Sequence, residues 1–411
     1  MKNPKTDEKI KLLVVSQYYY PEQFRINDMC AEWVKRGYDV TVVTGIPNYP
    51  QGKFFPGFGL FKRRKETHEG VKIIRLPIIS RGKSKIRLGL NYLSFVASGF
   101  FWKAFTRQKA DLVFSFEVSP MTQVLPAVWF AKRLRIPCIA YIQDLWPENF
   151  QEITGISDGF IVNQIEKMTN YVYRKCDIIL VTSNSFKQAI ENRGVPSRKV
   201  VYWPQYAESF YTPSTELSSL VPQDGVFTIA FTGNIGTAQG LEILPETAEI
   251  LRSEGALVRF LLVGDGRALP DLKKKIDEKQ VEAYFYFIPQ QPPRRIPSIL
   301  AGADAAFVSF SGSPLFAMTI PAKLQSYMAS GMPILAAADG ETSITVKKAE
   351  CGIVSPPGDA ESLVESINTL MNDSRLIDKM RQNAADYAAK AFNKGMLMDE
   401  MDSRFLSLME E

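Results

Sequence analysis

Ala317 to Glu341 reads AMTIPAKLQSYMASGMPILAAADGE, and it fixes the kind of fold to expect. Pro321 suits a first helical turn, Leu324, Tyr327 and Met328 recur at helical spacing on one face, and Gly331 with Pro333 ends the helix. Ile334 to Ala338 then reads as a strand buried on both faces, so a helix runs straight into a strand of a parallel sheet. Lys323 falls in the first helical turn, beside the free backbone N–H groups that draw anions to a helix N-terminus. A diphosphate fits that place. An ordinary solvated lysine fits it equally well on the local sequence alone.

Working outward, the same alternation fills the chain. Phe227–Thr232 (FTIAFT) is a strand, Gly233–Gly240 (GNIGTAQG) a glycine-rich loop, Leu241–Ser253 a helix and Val258–Val263 (VRFLLV) the next strand, followed by GDG. Tyr284–Ile288 and Asp304–Phe310 add strands to this sheet. Upstream, Lys11–Ser16 (KLLVVS), a loop YYYPEQFRIN, a helix through Arg36 and a strand Asp39–Thr44 form an earlier β-loop-α-β unit. Asp111–Phe116, Pro137–Ile142, Asp177–Thr182 and Lys199–Trp203 extend that first sheet. The Pro/Ser-rich run after Trp203 separates the two patterns. The expectation is α/β: two Rossmann-like doubly wound domains facing across a cleft. The first takes residues 1–205 and the second 206–390, and a last helix from about residue 391 to 411 crosses back to the first domain.

Composition narrows the chemistry. The chain has 411 residues, 45% of them hydrophobic, a net charge of +5 and four scattered cysteines. That charge does not argue for nucleic-acid binding, and the cysteines form neither a disulfide framework nor a zinc spacing. The polar start MKNPKTDEKIK is no signal peptide, and no apolar run has the length of a membrane span, so a cytoplasmic location is expected. His68, in the polar stretch KETHEG, is read as a surface residue.

Candidate site residues in the first half sit in loops that follow strands, where open α/β sheets hold ligands. Arg25, Ile26 and Asn27 follow the first strand as an acceptor or phosphate loop. Asp144 and Glu148 emerge from QDLWPENF beside Trp146; Asp144 is a candidate catalytic group, and its structural alternative is a helix cap. Two segments offer a membrane surface. One is the aromatic, basic loop 54–65, in which Phe54, Phe55 and Phe58 are expected to be exposed. The other is 81–105, where RGKSKIR leads into LGLNYLSFVASGFFWKAF, interrupted by Asn91, Ser94 and Ser98. A core helix of the first domain is the competing reading for 85–105.

These motifs in this order resemble the GT-B glycosyltransferases of retaining family 4, in particular the bacterial branch that builds capsule, O-antigen and exopolysaccharide. KLLVVSQYYYPE, GYDVTVVTGIPNYP, QDLWPENF, FTGNIGTAQGLE, LLVGDG, IPAKLQSYMASGMPILAAADGE and CGIVSPPGD carry the resemblance over nearly the whole chain. It implies a nucleotide-diphosphate sugar, commonly a UDP-sugar, bound in the second domain. It also implies a lipid-linked or saccharide acceptor in the first, retention of anomeric configuration, and no metal or other cofactor. The work would then lie at the cytoplasmic face of the membrane.

The resemblance places donor contacts at Gly233, Asn234, Gly236, Gln239, Gly264, Asp265, Gly266, Ile288, Pro321, Ala322, Lys323, Leu324 and Ser326, with Lys323 also counted as catalytic. Two departures stand out. Asn234 and Gln239 occupy places where many members have Arg and Lys, and Met318 and Ser326 occupy those of a glutamate pair. Glu341 is then a substitute carboxylate. A GT-B nucleotide-sugar epimerase and a non-catalytic sugar-binding protein remain alternatives. A nicotinamide dehydrogenase is disfavoured, because no GxGxxG follows either first strand.

Overall fold

The computed structural model describes residues 1–3, 8–82 and 84–410; Lys83, in the basic lead-in to the 85–105 helix, lies outside them. The chain forms two compact units. The first takes Met1–Thr182, Phe186–Trp203 and Asp399–Glu411, and the second takes Ser183–Ser185 and Pro204–Met398.

The first unit is built on eight strands: β1 (Lys11–Val15), β2 (Asp39–Gly45), β3 (Lys65–His68), β4 (Val71–Leu76), β5 (Leu112–Glu117), β6 (Cys138–Ile142), β7 (Ile178–Val181) and β8 (Val200–Tyr202). Their order across the sheet is β3-β4-β2-β1-β5-β6-β7-β8, parallel except for β3 on β4. Apolar runs such as LLVV are buried along their whole length because helices cover both faces. From β1 the chain builds outward to β2 and β4, then returns to place β5 on the other side. The β1/β5 boundary is therefore the switch point, where a crevice opens at the strand ends.

Helix Arg25–Lys35 buries Ile26, Met29, Cys30 and Trp33. Trp33 meets Phe114 edge-on at 5.0 Å and Phe405 at 5.7 Å. Phe405 belongs to the last helix, Lys394–Glu410, whose Asp402 takes a 2.8 Å ion pair from Arg36 and a 2.7 Å hydrogen bond from the Tyr38 hydroxyl. The end of the chain is thus fastened into the first unit.

The 85–105 segment is one helix, Lys85–Phe105, and its polar interruptions have a use. Asn91 donates to the Ile79 carbonyl, the Ser94 hydroxyl accepts from the Ile79 N–H, and Ser98 donates to the Pro77 carbonyl. Spaced at 91, 94 and 98, they fasten one face to the exit of β4. The opposite face holds apolar residues in water: Ile86 is 80% exposed, Leu93 62%, Phe101 61% and Phe105 81%.

The 54–65 loop differs from its sequence reading. Phe54, Phe55 and Phe58 are half-buried, and Phe58 packs under the guanidinium groups of Arg75 at 4.8 Å and Arg63 at 5.3 Å; the exposed aromatic is Phe61, at 96%.

The second unit carries β9 (Phe227–Thr232), β10 (Val258–Val263), β11 (Phe285–Ile288), β12 (Ala305–Ser309), β13 (Ile334–Ala337) and β14 (Gly352–Ser355), ordered β11-β10-β9-β12-β13-β14 and all parallel. Its switch point is β9/β12. The core lies on both faces of this sheet, with Phe231, Leu244 and Phe260 on one side and Val263, Leu324 and Met328 on the other.

Glu22 ties the first unit's loops together. Its Oε1 accepts from the N–H groups of Asn48 (2.7 Å) and Tyr49 (2.6 Å), while Oε2 is buried with no hydrogen-bond partner. Burial pushes its pKa from an ordinary 4.5 to about 7, against the pull of those N–H donors. The folded state therefore favours the protonated carboxyl, and this residue's contribution to stability falls as pH rises from about 4.5 to 7. An amide oxygen can take the same two hydrogen bonds without ionising. Glu22→Gln should match wild type near pH 4.5 and gain on it with rising pH, to about 3 kcal/mol at pH 8. Urea titrations across that range read the difference, and a constant difference would mean that Glu22 does not titrate on unfolding.

Candidate functional sites

In the second unit the loops after β9, β10 and β11 are laced by their backbones. Gly233 N–H donates to the Val263 carbonyl (2.9 Å), Ile235 N–H to that of Asp265 (2.9 Å) and Gly264 N–H to that of Ile288 (3.0 Å). The approach is so close that a Cβ on Gly264 would lie 1.9 Å from the Gly233 oxygen, and one on Gly266 2.1 Å from that of Ile235. Loop packing alone therefore requires these glycines. Ile288 is buried beneath them, and the exposed Asp265 accepts from Gly266 N–H at 2.7 Å. Gly233 and Asn234 are exposed, and the Asn234 amide folds over Gly236.

Across the switch point, helix Ala322–Ala329 starts at Pro321, which caps it without a side-chain hydrogen bond. Its first N–H groups are left for whatever lies at the terminus. Leu324 is fully buried, and Tyr327 fastens the helix to β9 by taking the Thr232 N–H at 2.7 Å. With the helix held there, Lys323 reaches back over the glycine-rich loop. Its ammonium lies 3.6 Å from the centroid of the Phe231 ring and donates to Gln239 Oε1; a Cβ on Gly233 would be 4.0 Å from it. No carboxylate among the described residues pairs with it, and burial holds its pKa well below the usual lysine value. Lys323, Gln239 and Gly233 are thus brought together, with Phe231 as a partner that the sequence reading did not single out.

Other donor candidates are engaged internally. Ser326, nearly buried, donates to the Ala322 carbonyl at 3.3 Å. Glu341 is nearly buried in the first turn of helix Gly340–Ala349, and its carboxylate accepts the N–H of Ser185, one of the three residues that cluster with this unit.

In the first unit, Asp144 follows β6 at the sheet's C-terminal edge. Its Oδ2 accepts from the Ser119 N–H (2.9 Å) and hydroxyl (2.6 Å), and its own N–H donates to Glu117 Oε2 at 3.2 Å. Glu117, the last residue of β5, is completely buried, with Oε1 lacking a hydrogen-bond partner. Burial and then the Asp144 charge push its pKa well above the carboxylate range, while Asp144 is raised by burial against the pull of Ser119. Of this close pair Glu117 is pushed up further, by burial and the Asp144 charge, while the Ser119 hydrogen bonds hold Asp144 down. The sequence marks Glu117 only as the last residue of an apolar strand, LVFSFE.

Glu148 pairs with Arg193, which also donates to the Trp146 carbonyl at 2.7 Å. Asn27 donates to the Glu22 carbonyl at 2.7 Å, Ile26 is wholly in the core, and Arg25 starts its helix half-buried. Glu148 thus has Arg193 as its ion-pair partner. His68 stacks on Tyr20, with ring centroids 3.5 Å apart.

Two family models cover most of the chain: the Glycosyl transferase 4-like domain over residues 23–205 and Glycosyl transferases group 1 over 215–390. The Escherichia coli protein named "Putative colanic acid biosynthesis glycosyl transferase WcaI" is 25% identical over 413 residues, covering 94% of this chain and 97% of its own length. Among solved structures, sucrose-phosphate synthase from Thermosynechococcus elongatus superposes with a TM-score of 0.76 at 16% identity, over 98% of this chain and all of its own. An Anabaena protein solved in complex with UDP-glucose gives 0.72 at 16% identity, over 97% of this chain and all of its own. Likeness at that identity establishes the GT-B fold. The chain belongs to the family 4 glycosyltransferases of that fold.

Proposed function

We propose that the protein transfers a sugar from a nucleotide-diphosphate sugar, a UDP-sugar, to a lipid-linked saccharide during assembly of a cell-surface polysaccharide. Transfer retains anomeric configuration and needs no metal. The observation that carries this reading is the Lys323 ammonium, half-buried against Phe231 with Gln239 as its hydrogen-bond partner. A desolvated cation with no counter-charge is costly, and an arriving diphosphate repays that cost. The UDP-glucose complex of the Anabaena neighbour and the polysaccharide role in the Escherichia coli relative's name support the substrate classes.

As the anomeric C–O bond to the diphosphate breaks, negative charge grows on the leaving phosphate. Lys323, the N-terminal N–H groups of helix Ala322–Ala329 and the loop beside Gly233 meet that charge. The acceptor hydroxyl forms the new C–O bond on the same face. Its proton passes to Asp144 in the acceptor-binding unit, while the departing phosphate keeps the electron pair of the broken C–O bond.

A lipid-linked acceptor is supported by the outer face of helix Lys85–Phe105 and by an open groove of about 370 Å³ lined by Phe54, Leu60, Pro77, Ile78 and Ile79. No helix among the described residues is long and apolar enough to cross a membrane. The exposed stripe lies in the interface instead, where burying one large apolar side chain contributes about 1.5–3 kcal/mol.

Lys323→Ala should weaken UDP binding by about 1.5–3 kcal/mol. In the wild type, bound diphosphate raises the lysine's lowered pKa, so binding takes up a proton and weakens as pH rises through the free-state value. Calorimetry in buffers of different ionisation enthalpy reads that uptake; its absence, or an unchanged UDP Kd in the variant, would remove Lys323 from the site. Addition of EDTA should change neither. Asp144→Asn should lower kcat by at least tenfold and leave UDP affinity alone, and an equal loss in both would make Asp144 a structural residue. Replacing Ile86, Leu93, Phe101 and Phe105 together by Ser should abolish sedimentation with vesicles of mixed anionic and zwitterionic phospholipid. Undiminished sedimentation would assign membrane contact elsewhere.

A further inference from the structure

Arg81 differs from four other half-buried or buried arginines that meet side chains across the fold. Arg36, Arg75, Arg193 and Arg259 each face a carboxylate. Arg81 faces tyrosines. Its guanidinium donates to the Tyr18 hydroxyl at 2.8 Å and lies 5.2 Å from the centroid of Tyr49 and 5.9 Å from that of Tyr92. Among the described residues no carboxylate forms an ion pair with it.

The surroundings are built rather than incidental. The Arg81 N–H donates to Asn48 Oδ1 at 2.8 Å, and the backbone of Asn48 and Tyr49 is held by the buried Glu22. Tyr18 stacks on Phe24 at 5.2 Å and meets Tyr49 at 5.6 Å. Tyr92 stands on helix Lys85–Phe105 next to Asn91, which is fully buried and accepts from the Gln17 amide at 2.8 Å; the Gln17 N–H in turn donates to Gln123 at 2.8 Å. Loops after β1, β2, β4 and β5 are thereby locked around one cation at the β1/β5 switch point. Burial raises the Tyr92 hydroxyl's pKa, with Arg81 pulling it down and Asp144 pushing it up.

We propose that Arg81 with Tyr18, Tyr49 and Tyr92 forms an acceptor subsite for a phosphate attached directly to a sugar ring. The inference rests on the glycosyltransferase reading and narrows it, because it makes the acceptor a sugar phosphate or diphosphate rather than a neutral saccharide. A planar guanidinium fork matches phosphate oxygens, and the surrounding ring faces suit the apolar face of a pyranose. The ligand supplies the negative charge that the protein withholds from Arg81. This also gives Arg81 a task distinct from the lipid-facing role that the basic lead-in suggests.

The probes are glucose 1-phosphate, methyl glucoside and farnesyl-diphosphate-linked N-acetylglucosamine, titrated into wild type, Arg81→Gln, Arg81→Lys and Lys323→Ala, with UDP titrated in parallel. Glucose 1-phosphate should bind wild type and Lys323→Ala alike, at least tenfold more weakly to Arg81→Gln, and with intermediate affinity to Arg81→Lys, which keeps the charge but not the fork. UDP affinity should be the same in wild type and both Arg81 variants, which also certifies that they are folded. Tighter binding of the farnesyl compound than of glucose 1-phosphate points to a lipid-linked source and equal binding to a soluble one; both fit the subsite. Methyl glucoside binding as tightly as glucose 1-phosphate, or Arg81→Gln leaving sugar phosphate affinity unchanged, overturns it. A wild type that binds sugar phosphate but not UDP would instead overturn the glycosyltransferase reading.

Discussion

Parallel strands cannot be joined by a tight turn; each needs a crossover over one face of its sheet. That constraint governs both halves of this chain. It buries the strands on two sides, which is why they read as unbroken apolar runs, and it delivers every loop that follows a strand to the same edge. Where successive crossovers change direction, neighbouring loops part and leave room. In the first unit the parting lies between β1 and β5, in the second between β9 and β12. Gln17, Gln123 and Asn91 gather at the first, Gly233, Gln239 and Lys323 at the second.

What collects at these edges is polar chemistry in poor solvation. Lys323 is held over an aromatic face, and Glu117 ends a strand with no water beside it. Their environments move the two groups the same way, toward neutrality: the lysine's pKa falls and the glutamate's rises. For Glu117 the neutral state is useful as it stands, because it spares Asp144 a like charge at close range. For Lys323 it is a state from which an anionic ligand would recover the cation.

Much of this was legible in the residues. The alternation of apolar runs, helices and glycine-rich loops gave two α/β units, and IPAKLQ with GNIGTAQG marked the pair of segments that the second sheet brings together. Periodicity could not tell which face of Lys85–Phe105 is fastened, because Asn91, Ser94 and Ser98 look like flaws in an apolar helix until the β4 exit lies beside them. Nor could sequence distinguish Phe58, tucked under two guanidinium groups, from Phe61, left in water three residues later. Glu117, Tyr18 and Tyr92 are ordinary strand, loop and helix residues until the sheet order sets them around Asp144 and Arg81. Such groupings depend on contacts between positions scores of residues apart.

Lys323 and Arg81 are not equivalent cations, and the difference bears on how each would serve. An ammonium is a compact charge whose pKa burial lowers, and a bound anion would raise it again. A guanidinium does not give up its proton in the range where proteins work, so Arg81 stays charged and is screened by tyrosine rings instead. A donor phosphate that must be released after it has become a leaving group suits the adjustable cation. An acceptor phosphate that only positions a nucleophile suits the fixed one. On the proposed function the residue types at the two switch points would follow what each phosphate has to do: the one whose charge changes in the reaction would meet the lysine, and the one whose charge stays constant would meet the arginine.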